Sequence, residues 1–178
     1  MFAENKLTQI AGYFLGLGGN EMNYMKLIKL LYLADREMLK RHGFAISNDS
    51  YYAMDNGMVL SATLDLIKGV APGDVWSKSI SAPKNYMVML TGKTEDDLLS
   101  VAELKIMREI FDGFGDKNEW ELSDYMHENL PEWKDPKHSS IPVSLREILD
   151  ALTDDEVFKA AAIEEFERGQ SLKRVVGD

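Results

Sequence analysis

The chain has no cysteine. Disulfides, cysteine nucleophiles and thiolate metal sites are therefore excluded, and the absence fits a cytoplasmic protein. Histidine is scarce: His42, His127 and His138 are the only three in 178 residues. The stretch "HENLPEW" opens with the His-Glu of a zinc-protease helix but has no second His one turn on, so the metal-ligand spacing fails. No Gly-x-Ser-x-Gly elbow is present, and "GLGGNEM" lacks the lysine of a phosphate-binding loop. The carboxylate pairs Asp96-Asp97, Asp154-Asp155 and Glu164-Glu165 are sequence neighbours, which do not face one another on a helix. No catalytic residue, cofactor or metal is expected. No run approaches the roughly 20 apolar residues of a membrane helix, and "MFAENKLTQIAGYF" carries an early acid where a signal peptide would carry bases.

Basic charge is also short, with 20 Lys and Arg against 30 Asp and Glu and a net charge of −10. Phosphate would be repelled overall, which argues against direct nucleic-acid binding. The imbalance is uneven. Residues 24–42 carry five bases and two acids, whereas residues 147–167 carry eight acids and Lys159 alone. The acidic run is either a solvated face or a surface that attracts a basic partner protein, with Glu164, Glu165 and Glu167 as candidate contacts.

What remains is ordinary for a folded soluble domain, at 45% apolar and 28% charged residues. The length suits one domain. The pattern predicts a mainly α fold, a compact helical domain with one small β-hairpin. Helices are expected over 5–16, 23–42 and 58–68, the third capped by Asp55 or Asn56 and stopped by Gly69. Alternation between Val75 and Leu90 predicts the hairpin. Capping-box spacings at Ser100/Glu103 and Asn118/Glu121 predict two further helices. Pro142 suits the first turn of another, and Thr153 with Glu156 caps a last one ending at Gly169.

"KLIKLLYLADREMLKRHG", residues 26–43, holds one irregularity. At about 100° per residue, Leu27, Leu31, Ala34 and Met38 form a stripe, with Lys29, Arg36 and Lys40 opposite. Asp35 falls inside the apolar arc, between Leu31 and Ile28. A buried carboxylate costs several kcal/mol unless it is paired or accepts hydrogen bonds. The backbone N–H groups of "YYAMDNG" and the helix turn after Gly57 are candidate donors, which makes Asp35 an internal clamp. The alternative is a catalytic or ligand-binding carboxylate in a pocket with Tyr32 and Tyr52, as in a small hydrolase.

"MKLIKLLYLADREMLKRHG" followed by "SYYAMDNGMVLSATLDLI" resembles the opening of the Panacea domain, the SocA-like antitoxin family also found in phage-associated proteins. The similarity continues in "DDLLSVAELKIMREIFDGFGDKNEWELSDYMHENLPEW" and covers roughly 7–135, with 136–178 expected as a helical extension packed on it. The matched positions include Lys26, Lys29, Tyr32, Asp35, Tyr51, Ala53, Gly57, Val59, His127 and Trp133. Met58 stands where the family has Pro, a residue suited to a first helical turn. The resemblance implies neutralisation of a co-encoded protein toxin by direct contact. The loop of residues 48–58, with Tyr52, Asn56 and Met58, is a candidate contact surface beside the acidic helices. A phage or mobile-element factor that binds a host protein would use the same surfaces.

Overall fold

A computed structural model describes residues 2–71 and 73–176. Thirteen elements are assigned in that range. α1 (Phe2–Leu17), β1 (Glu21–Asn23) and α2 (Tyr24–His42) come first, then β2 (Tyr51–Met54), β3 (Gly57–Leu60), α3 (Ser61–Lys68), the single turn α4 (Trp76–Ser79) and β4 (Met87–Met89). α5 (Val101–Phe114), α6 (Glu119–Asn129), β5 (Ser140–Val143), α7 (Leu145–Leu152) and α8 (Glu156–Val176) complete the order. The fold is mainly α, as the pattern predicts, but its strands form two small sheets rather than one hairpin. Among the described residues no helix is long and apolar enough to cross a membrane.

α2 is the central helix. Asn23 caps its start, accepting the Met25 N–H at 2.8 Å, and Gly43 ends it at φ 75° with its N–H on the Leu39 carbonyl. α1, α3, α5, α6, α7, β1 and β3 all pack against it. Enclosure from so many sides buries more than one stripe. Lys29, which periodicity places opposite the apolar residues, is only 2% exposed.

Four predicted elements are corrected. The helix expected over 58–68 begins only at Ser61. Residues 57–60 are β3, antiparallel to β2 from Tyr51↔Leu60 to Met54↔Gly57. Met58, Val59 and Leu60 are all buried, so the run is a two-sided buried strand, which periodicity cannot tell from a helix start. Asp49, not Asp55 or Asn56, holds the first turn of α3, accepting the N–H groups of Ala62 and Thr63 at 2.9 Å each.

The hairpin expected between Val75 and Leu90 survives only as bridges at Ile80–Leu90 and Lys84–Met87. Its first arm is the turn α4, because Glu4 Oε1 accepts the N–H groups of Val75 and Trp76 at 2.7 and 2.8 Å. Its second arm, β4, pairs with β1. Pro142 lies in β5, an edge strand where its missing N–H is tolerated, and α7 starts at a Ser144/Glu147 capping box. Asp155, rather than Thr153, caps α8 through the N–H groups of Val157 and Phe158, and the helix runs on past Gly169. The capping boxes at Ser100/Glu103 and Asn118/Glu121 form as the spacing predicts.

Candidate functional site

Asp35 is 1% exposed. Its Oδ1 accepts the backbone N–H groups of Ile46 and Ser47 at 3.0 and 2.9 Å; its Oδ2 accepts the Tyr51 hydroxyl at 3.0 Å and the Ser47 hydroxyl. Burial pushes the carboxyl up to about 6, against the opposing pull of those bonds. The donors differ from those the sequence suggests. They come from the loop just after α2 and from Tyr51, while Tyr52 takes no part and the turn of α3 belongs to Asp49. All four hydrogen bonds are internal, so the carboxylate joins α2 to the start of β2.

A second buried carboxylate, Glu132, has no counterpart in the sequence reading. Its Oε1 accepts Arg36 Nε at 2.6 Å and the Tyr32 hydroxyl at 2.8 Å, and Oε2 meets Arg36 Nη2 at 3.3 Å. Tyr32 packs edge-on to Tyr51 with ring centroids 5.7 Å apart, which links the two carboxylates through aromatic rings. The one available signal was the acid inside "LPEW", between buried Leu130 and half-buried Trp133.

The other motif residues are placed as follows. Lys26 Nζ donates to the Gly115 carbonyl at 2.6 Å. Ala53 is fully buried in β2. His127 stacks on Trp133 at 3.9 Å, and Trp133 Nε1 donates to the Met54 carbonyl at 3.0 Å, which fixes the end of β2. Gly57 has φ 115°, and an added Cβ would sit 2.8 Å from Met126 Sδ and 3.6 Å from Lys29 Cε. Met58 is fully buried in a strand, not in a helical turn, and its N–H points to Met126 Sδ at 3.4 Å. A proline there could not donate. Burial also removes the Met58 side chain from the surface, whereas Asn56 is exposed and Tyr52 half-buried. Glu164 and Glu165 are exposed and pair with Arg168 at 3.5 and 3.1 Å. Glu167 lines a shallow groove between α7 and α8.

The structure brings Lys29, Val59 and Asn56 together around one cleft of about 530 Å³. The starts of α2 and α6 form its walls, and the β2–β3 turn forms its edge. Lys29 Nζ has one long hydrogen bond, to the Met25 carbonyl at 3.4 Å. Burial lowers its pKa to about 8, partly offset by Glu119. Tyr86 and Trp120, 61% and 56% exposed, stand on the rim. Neither was singled out from sequence, since lone aromatics in polar stretches carry no pattern. Among the described residues no group of three or more His, Asp or Glu side chains gathers to hold a metal.

These features define a mainly helical domain built on one central helix, with internal carboxylate clamps at Asp35, Asp49 and Glu132 and a mixed polar and apolar cleft over Lys29. The family model described as antitoxin SocA-like, Panacea domain, matches residues 27–134, and the chain belongs to that family. No curated protein and no solved structure matches the chain.

Proposed function

We propose that this protein is an antitoxin that neutralises a toxin encoded by an adjacent gene, acting in the cytoplasm by direct protein–protein contact and not by turnover. The family match over residues 27–134 carries the reading. The charge supports it: at −10, with eight acids over residues 147–167, the molecule attracts a basic protein and repels nucleic acid. The saturation of Asp35 by four internal donors favours an architectural role for it over a hydrolytic or ligand-binding one.

Co-expression with the neighbouring open reading frame tests the proposal. That frame alone should arrest growth, the pair should restore it, and the two products should co-purify. Arrest that persists despite expression of this protein overturns the reading. Restored growth without a complex would point to an enzymatic route instead. A harmless neighbour and a stable complex with a host protein would favour the mobile-element alternative.

A further inference from the structure

We infer that the cleft over Lys29 is the seat for an acidic side chain of the partner protein, carried on an apolar segment. The inference rests on the protein-binding reading above and assigns it a location and a chemistry.

Lys29 is the reason. An ammonium has three hydrogens to donate, and this one has a single 3.4 Å bond to a carbonyl of its own helix. A charge so buried is costly unless it is answered, and a methionine or leucine would fill the same space without that cost. The acids lining the cleft hydrogen-bond elsewhere, although Glu119 still acts on Lys29 through its charge. Asp55 is held by His138 at 3.1 Å, and Glu119 accepts from Asn23 Nδ2 at 3.0 Å. Both α2 and α6 begin at the cleft; α2 has no acid in its first turn and its N-terminus adds positive potential, whereas Glu119 and Glu121 offset that of α6. Lys68 lines the same cleft and adds a second base. The bases Lys29 and Lys68 are matched in number by Asp55 and Glu119, so what is left unanswered is hydrogen bonding at the Lys29 ammonium, whose remaining hydrogens suit a carboxylate.

The walls describe the rest of the occupant. Ile28, Val59 and Leu64 offer apolar surface beside the ammonium. Tyr86 stacks on Tyr24 with centroids 6.0 Å apart, and its carbonyl accepts the Tyr24 N–H at 2.8 Å, so one rim aromatic is tied to the start of α2. Trp120 stands on the wall formed by α6. Exposed Tyr and Trp around a desolvated charge are the composition of an interface centre. About 530 Å³ accommodates one acidic side chain and an apolar neighbour, with the remainder of the partner outside.

The test uses the full-length protein and the adjacent gene's product, with Lys29→Met as the main variant and Val101→Ala, an exposed position on α5, as control. Lys29→Met should melt at or above the wild-type temperature while binding the partner about thirtyfold or more weakly, as expected when one member of a buried charge pair is removed. Lys29→Arg should bind less weakly than Lys29→Met. Millimolar 3-phenylpropionate should compete with the partner and move the Lys29 NMR signal; the uncharged 3-phenylpropanamide should do neither. If Lys29→Met binds like wild type, or amide and carboxylate compete equally, the inference is overturned while the antitoxin reading stands. If wild type binds no partner at all, both fall together. If Lys29→Met unfolds, Trp120→Ala with the probe pair decides: retained affinity and no carboxylate preference in wild type overturn the inference.

Discussion

Arg36 and Glu132 lie 96 residues apart and meet with Nε 2.6 Å from Oε1, at a carboxylate that also takes the Tyr32 hydroxyl. This contact fastens the central helix to the turn that follows α6. Glu132→Ala would leave a half-buried guanidinium and a buried hydroxyl without their acceptor. The expected cost is about 3–5 kcal/mol, read as a lower urea midpoint with unchanged slope. Glu132→Gln, which keeps one acceptor oxygen, should lose less. Equal stability of both variants and wild type would show that water replaces the carboxylate.

Asp35 makes stability depend on pH in a defined direction. Its carboxyl titrates near 6 in the folded chain against an ordinary 3.8. Between those values the folded state holds a proton that the unfolded state has released. Stability from this group is thus fully present below about pH 4 and is lost as pH rises through 6, by at most about 3 kcal/mol. Asp35→Asn cannot titrate, and the Ser47 and Tyr51 hydroxyls can turn to accept from its amide. The difference in unfolding free energy between wild type and Asp35→Asn should therefore shift in favour of wild type from pH 7 to pH 5. A constant difference would place the titration elsewhere. Asp35→Ala orphans the donors at every pH and should cost about 1–3 kcal/mol.

Gly57→Ala should destabilise by about 1–3 kcal/mol, because φ 115° disfavours any Cβ and the new methyl meets Met126 Sδ. Adding Met126→Ala removes the clash but not the backbone strain. In a double-mutant cycle at the melting transition, the pair should cost less than the sum of the single changes. Strict additivity would mean that the backbone strain carries the whole effect.

Charge reversal at Glu164, Glu165 and Glu167 should leave the fold intact, since Glu164 and Glu165 are exposed and pair with Arg168 across one helical turn. Association with a basic toxin should slow and lose part of its salt dependence, with dissociation little changed. Stopped-flow mixing at low and high salt separates the two rates. An unchanged association rate at low salt would reduce the acidic run to a solvated face.

Capped helices were the legible part of the fold. Asn23, Ser100, Asn118 and Gly43 mark helix ends with chemistry contained in three or four consecutive residues, so the boundaries follow from local sequence. Glu4 and Asp49 do the same work across longer gaps, and neither can be assigned without the fold. The strand at 57–60 was misread because a segment buried on both faces has no period-2 signal. Asp35 was legible as a buried carboxylate because it interrupts an apolar arc. Lys29 was not, since burial on the polar side of a helix reflects neighbours that arrive from β3 and α6, far along the chain. The aromatics of the cleft rim were invisible for the same reason.

The pairing of β5 with β2 bears on where the gene can be cut. The family match stops at residue 134, yet β5 supplies the partner strand from Tyr51↔Val143 to Met54↔Ser140. Phe166 of α8 stacks over Tyr51, and Gln170 Nε2 donates to the Asn48 carbonyl at 2.8 Å. A fragment ending at 134 would retain every motif residue and leave a bare strand edge beside an uncovered tyrosine, a template for aggregation. Recombination that transplants this domain between genes, or a fusion that shortens it, is expected to yield soluble protein only when residues 136–176 travel with the motif.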